Sequence, residues 1–392
     1  MSSFVRWVLP LLMVVPGVAG ADEPRLTRAA AGREVRRLWE ARLAEIRADP
    51  TREAEVKDRR IELDGLKMPF AFKVFGAKPA GGRSLYLSMH GGGNGPARMN
   101  DGQYANQQKL YEPKEGVYLA PRAPTNTWDL WHQSHVDRFF ARLILDMVAF
   151  EGVDPDRVYL MGYSAGGDGV YQLAPRMADR FAAAAMMAGH PNESKPLGLR
   201  NLPFILQVGG KDAAFQRNDV ARRYGDELDA LQKADGAGGY VHETRIYPGK
   251  AHWMDREDAM ALPWMAGFAR NPAPKRVVWY QDDVTHDQSY WLAVPPGTAR
   301  AGATVVAEVV GQEVRVERAE GVATLIVRLD DRLLDLDQPV RVTTAGKVLY
   351  EGTPPRTART LAKTLAERDD PGLTFAAELT VPLGPPAPAP AR

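Results

Sequence analysis

Residues 158–167 read Val-Tyr-Leu-Met-Gly-Tyr-Ser-Ala-Gly-Gly, an apolar run that stops on a serine bracketed by glycines. Such a run reads as a strand buried on both faces. The glycines say that the chain then turns so sharply that backbones meet where a Cβ would stand. A strand, a strained turn and a helix beginning near Ala165 leave few folds open. They lift the Ser164 hydroxyl clear of the carboxyl end of a sheet. The pattern alone is short, and its weight comes from the strand before it and the helix after it.

A serine in this position becomes a nucleophile only beside a base that an acid orients, and in this setting the chain order is Ser, Asp or Glu, His. The acid expected is Asp212, in the loop Gly209-Gly210-Lys211-Asp212 after the apolar run Phe204-Ile205-Leu206-Gln207-Val208. An aspartate after two glycines also suits a turn or a helix cap. The following strand, roughly Val241 to Tyr247, decides between the two readings, because it ends in Pro248-Gly249-Lys250-Ala251-His252. Of the seven histidines, His242, His252 and His286 follow Asp212. His242 lies inside the strand and His286 falls in what reads as a separate domain, which leaves His252 as the base.

A tetrahedral oxyanion needs donors waiting for it. The strand Leu85-Tyr86-Leu87-Ser88-Met89 runs into His90-Gly91-Gly92-Gly93-Asn94-Gly95. An H-G-G-G loop after an early strand offers the amides of the Gly91–Gly92 region, beside that of Ala165. A phosphate cradle is a poor alternative, since no Gly-Lys-Ser/Thr follows.

Weaker signals surround these. Trp128, Trp131, His132 and His135 follow the strand Val117-Tyr118-Leu119-Ala120, where the tryptophans are expected either to line an acyl or aryl pocket or to be core. Tyr163 and Trp253, next to nucleophile and base, are candidate pocket walls. Asp168 sits where an acid complements a helix dipole, and His190 reads as structural. His132 and His135 lack a third ligand at any obvious spacing, so no metal is expected.

The stretch from about Arg60 to Asn271 resembles an α/β-hydrolase domain. Gly-Tyr-Ser-Ala-Gly-Gly resembles the elbow of secreted esterases related to polyhydroxybutyrate depolymerases, feruloyl esterases and dienelactone-hydrolase-like enzymes. His-Gly-Gly-Gly is similar to the loop of hormone-sensitive-lipase-like carboxylesterases. The resemblance implies an α/β-hydrolase fold, a mostly parallel sheet flanked by helices, and a cofactor-free serine hydrolase acting on small or polymeric carboxylic esters. Two other classes stay open: a non-catalytic binding protein whose C-terminal domain holds carbohydrate or a partner, and a serine peptidase.

At 392 residues the chain has room for one sizeable α/β domain and something smaller. Its 50 basic and 49 acidic residues nearly cancel, which argues against nucleic acid or an anionic membrane as the main partner. Residues 1–21 read as a signal peptide, with Arg6 before the apolar segment Trp7 to Ala19 and small residues at Val18-Ala19-Gly20-Ala21. The segment is too short for a comfortable membrane span, so a periplasmic or secreted protein is expected, here without any cysteine. Residues 22–59 form an N-terminal helical segment, with Val35, Trp39, Leu43 and Ile46 on one face of a helix over about 25–50. The catalytic domain covers 60–271, opening with a strand, turn and strand. Beyond Asn271-Pro272-Ala273-Pro274, five strand-like runs and a helix near Leu361 to Glu367 suggest a β-rich, sandwich-like domain over 275–384. There Trp279, Tyr280, Tyr290 and Trp291 would serve a carbohydrate-binding role. Residues 385–392 are a Pro/Ala tail.

Overall fold

A computed structural model describes residues 23–384; the expected signal peptide 1–21 and the tail 385–392 lie outside the described residues. The N-terminal segment is two helices. Helix α1 (Arg28–Ala48) starts on Thr27, whose side chain accepts the Ala30 N–H at 3.2 Å. Val35, Trp39 and Leu43 pack against the core, and Ile46 is buried. The expected single helix does not end the segment: Asp49 accepts the Thr51 N–H at 2.8 Å and Pro50 opens α2 (Pro50–Asp58). Proline at the first helical position restarts a helix at no hydrogen-bond cost.

The main sheet begins as the hairpin β1 (Arg60–Leu63) and β2 (Leu66–Phe75), turned at Asp64-Gly65, both at positive φ. There follow β3 (Arg83–Met89), α3 (Ala97–Gln107), β4 (Gly116–Pro121) and α4 (His135–Asp146). Then come β5 (Val153–Tyr163), α5 (Ala165–Arg176), β6 (Ala183–Met187) and β7 (Phe204–Gly209). Helix α6 (Arg217–Asp235), β8 (His242–Tyr247) and α7 (Ala261–Met265) complete this part. The strand order is β1-β2-β4-β3-β5-β6-β7-β8. From β4 to β8 every neighbouring pair is parallel, and only β2 runs the other way, antiparallel to both β1 and β4. Strands β3, β4, β6 and β7 are almost wholly buried, as their uninterrupted apolar runs require. All loops at their carboxyl ends open on one side, where α/β sheets place their ligands.

The C-terminal part is two packed sheets. Strands β9 (Arg276–Tyr280), β10 (Gln288–Ser289), β11 (Leu292–Ala293), β12 (Thr304–Val310), β13 (Glu313–Glu320) and β14 (Thr324–Leu329) come first. They are followed by β15 (Val340–Thr344), β16 (Lys347–Gly352), α8 (Ala358–Arg368) and β17 (Ala377–Pro382). The sheets are β10-β11-β14-β17 and β16-β15-β13-β12-β9. Trp291, Trp279 and Tyr290 are 0%, 5% and 3% exposed. Three of the four aromatic residues considered for carbohydrate binding on this domain are therefore core, and the fourth, Tyr280, is half-buried beneath the Lys195 ammonium. Besides apolar packing, the domain's seam with the N-terminal α/β part carries charge: Arg270 donates to Asp370 (2.6 and 3.0 Å) and Asp156 (2.7 and 2.9 Å), Arg368 pairs with Asp179, and His286 Nε2 lies 2.8 Å from Asp137. Among the described residues no helix is long and apolar enough to cross a membrane.

Candidate active site

The turn from β5 into α5 is built from contacts that no side chain would permit. A Cβ on Gly162 would overlap the Gly166 carbonyl, one on Gly166 the Met89 carbonyl, and one on Gly167 would stand 2.5 Å from the Met187 carbonyl oxygen. Pinned between these neighbours, Ser164 takes φ 58 and ψ −122, a conformation that a non-glycine residue holds only when its surroundings enforce it. Its N–H donates to the Met187 carbonyl at 2.9 Å, and its hydroxyl stands above the sheet.

Two loops bring partners to that hydroxyl. His252, after β8, places Nε2 3.0 Å from Ser164 Oγ and Nδ1 2.7 Å from Asp212 Oδ2. The carboxylate of Asp212, 2% exposed after β7, is acceptor-only. It fixes the imidazole proton on Nδ1 and leaves the Nε2 lone pair for the serine proton. The other two histidines considered are occupied elsewhere: His242 faces Asp229 and the Tyr240 carbonyl, and His286 faces Asp137. Tyr163 ties the base to the elbow, since its hydroxyl donates to the His252 carbonyl (2.7 Å) and accepts the Met254 N–H (3.1 Å).

The loop after β3 is held from beneath. His90 is fully buried, and its Nε2 accepts the Ala123 N–H at 3.1 Å, so Nδ1 carries the proton and donates to the Gly91 carbonyl at 2.6 Å. Burial holds this imidazole neutral, its pKa pushed down to about 4. A pinned Gly91 carbonyl turns the Gly92 N–H the opposite way across the same planar peptide. A Cβ on Gly91 would stand 3.1 Å from Ser164 Cβ, so the loop lies against the nucleophile. The Gly93 N–H is taken by the buried Asn100 at 2.7 Å, which leaves Gly91, Gly92 and Ala165, the three residues expected from the sequence, bordering the clefts at the serine.

Two clefts meet at Ser164. The larger, about 760 Å³, is lined by Met99, Gln103, Leu110, Tyr163, His252 and Trp253 among others. The smaller, about 400 Å³, is lined by Trp128, Asp168, His190, Asn192, Phe215 and Arg217 together with the Gly92–Asn94 loop. Tyr163, Trp253 and Trp128 thus stand in cleft walls. Trp131 does not: it is fully buried, and its indole N–H donates to the His90 carbonyl at 2.9 Å, bracing the glycine loop from the core. Trp128 is exposed and Trp131, in the same run of turns, is buried, a difference that residue type alone does not reveal. Asp168 and His190, read as structural from sequence, border the smaller cleft. Burial pushes the Asp168 carboxyl up to about 6 while it accepts the His190 N–H at 2.6 Å. Phe215 and Arg217 escaped the sequence reading; their signal was position, in the loop directly after the acid. Among the described residues no group of three or more His, Asp and Glu side chains is arranged to hold a metal.

A mostly parallel sheet with serine, histidine and acid on three loops at its carboxyl ends defines an α/β-hydrolase. Residues 109–279 match the model of the dienelactone hydrolase family. NocK of Nocardia uniformis subsp. tsuyamanensis, to which an esterase activity is attributed, is 28% identical over 216 residues, 52% of this chain and 62% of that protein. The bifunctional acetylxylan esterase/xylanase XynS20E of Neocallimastix patriciarum is 29% identical over 163 residues, 40% of this chain and 24% of that one. The matched stretch therefore spans less than two thirds of either relative. A thermostable esterase of known structure aligns over 54% of this chain and 62% of its own with a TM-score of 0.41 at 18% identity. The chain has the α/β-hydrolase fold, and over residues 109–279 it is similar to the dienelactone hydrolase family.

Proposed function

We propose that the protein is an exported serine hydrolase that cleaves carboxylic esters through an acyl-enzyme. In this reading the ester carbonyl sits over Ser164, with its oxygen toward the Gly92 and Ala165 amides. Ser164 Oγ attacks the carbonyl carbon as His252 Nε2 takes the hydroxyl proton, and Asp212 stabilises the resulting imidazolium. The C–O bond to the alcohol breaks, and His252 returns its proton to the departing oxygen. Water, deprotonated by His252, then attacks the acyl-Ser164 carbonyl and releases the acid. No metal or organic cofactor takes part.

The observation that carries this reading is the unbroken relay from Asp212 through His252 to Ser164, 2.7 and 3.0 Å, assembled from three loops. The esterase relatives support the same reaction class. Export rests on residues 1–21 and predicts a mature chain beginning at Asp22. Hydrolysis of 4-nitrophenyl acetate by the mature chain tests the reaction. Ser164→Ala is expected to lower kcat by roughly 10⁴–10⁶ with the fold intact, and a variant within tenfold of wild type would contradict the mechanism.

A further inference from the structure

The smaller cleft is furnished in a way that ester cleavage alone does not require. Of the large hydrophobic side chains exposed among the described residues, three are aromatic, and all three border the clefts at Ser164. They are Phe215 at 75% exposed, Trp128 at 59% and Trp253 at 48%. Trp128 and Phe215 both belong to the smaller cleft. Phe215 is held outward at a cost in backbone strain: it and Gln216 take φ 54 and 56 in succession, where side chains are disfavoured. Its ring lies under the Arg217 guanidinium, 4.8 Å from the centroid.

The polar groups of the cleft have capacity to spare. Arg217 Nε is buried without a hydrogen-bond partner, and the same side chain comes within 3.8 Å of Asp212. His190 Nδ1 accepts the Asn192 N–H at 2.9 Å, which puts its proton on Nε2 as a donor. The Asp168 carboxyl and the Asn192 amide complete a wall of mixed donors and acceptors. A purely aliphatic or aryl group would leave these groups desolvated and unpaired, which is costly. It fits the larger cleft better, beside Met99, Leu110 and Trp253. What suits the smaller cleft is a ring with an apolar face for the aromatic side chains and hydroxyls around its rim.

We infer that the smaller cleft is a subsite for a pyranose ring, the alcohol portion of an acylated sugar, with Trp128 and Phe215 contacting its C–H face and Asp168, Asn192 and Arg217 its hydroxyls. This rests on the serine esterase reading of the same site. The test compares kcat/KM for an O-acetylated methyl xylopyranoside with that for methyl acetate. Wild type is expected to prefer the glycoside ester. Phe215→Ala and Trp128→Ala, both at exposed positions that fold tolerates, are each expected to lower the ratio of the two by about tenfold or more. Absence of a wild-type preference, or equal loss on both esters in the variants, would overturn the subsite while leaving the esterase reading standing. Failure of wild type to hydrolyse methyl acetate, 4-nitrophenyl acetate and the glycoside ester alike would overturn both.

Discussion

Tyr163 shows how a residue beside a nucleophile acts without touching the reacting atoms. Its hydroxyl bridges the His252 carbonyl and the Met254 N–H, so the loop that carries the base is fastened to the elbow that carries the serine. Displacing a reacting group by about 1 Å costs on the order of 10² in rate. Tyr163→Phe keeps the ring in the cleft wall and removes only the clamp. It is expected to lower kcat roughly ten- to a hundredfold while KM changes little, and a change confined to KM would show that Tyr163 merely lines the cleft. At this scale the juxtaposition of Ser164, Asp212 and His252 was legible in the sequence because the first two follow apolar strands, the third follows the next and more polar strand, and the fold brings strand ends together. Trp131 and Phe215 were not, because the course of a turn decides which side chain faces the core and which the solvent.

The elements around the serine owe their shape to backbone packed on backbone. A Cβ at Gly166 would overlap the Met89 carbonyl, where neither partner can rotate away, whereas one at Gly91 would stand 3.1 Å from Ser164 Cβ and 3.2 Å from the Tyr163 carbonyl oxygen, contacts that a shift of a few tenths of an ångström relieves. Gly166→Ala is therefore expected to cost about 1–3 kcal/mol, read as a lower thermal midpoint. Gly91→Ala should melt near wild type yet lose at least tenfold in kcat/KM; equal stability of the two variants would contradict the packing. The loop after β3 also carries a pH dependence through His90. Its folded pKa, about 4, lies below the unfolded 6.5, so the native state binds fewer protons in between. The stability due to the neutral ring is complete above about pH 6.5 and is lost as pH falls toward 4, about 3 kcal/mol in all. The thermal midpoint of wild type should fall more steeply than that of His90→Asn between pH 7 and 4.5, and parallel curves would exclude this role. The central parallel strands were legible as uninterrupted apolar runs, while the edge strand β8, His-Glu-Thr-Arg-Ile-Tyr, is half-exposed. Strands β13 and β16 were not legible: Glu313-Val314-Arg315-Val316 alternates on a half-exposed sheet, and charge on its outer face masks it.

Across the whole molecule the C-terminal sheets and the hydrolase part share one contiguous hydrophobic core and a buried ionic seam. Arg270 stands at the centre of that seam, 6% exposed, between Asp156 on one side and Asp370 on the other. Removing it strands the buried carboxylate of Asp370, a change that costs about 3–5 kcal/mol. Arg270→Ala is accordingly expected to lower the melting temperature of both parts together in one calorimetric transition. Two separated transitions in wild type would instead mark the parts as independent. Such coupling, with Trp279, Tyr290 and Trp291 in the core, leaves the exposed aromatic side chains where the two clefts open on Ser164.

The central claim, that Ser164 is an activated nucleophile, is tested most directly with a fluorophosphonate probe. The mature wild-type chain and Ser164→Ala are treated alike, and the labelled peptide is mapped by mass spectrometry. The account predicts one adduct, on Ser164, absent from the variant. A folded wild-type protein that takes no label, or takes it equally when Ser164 is alanine, would contradict it.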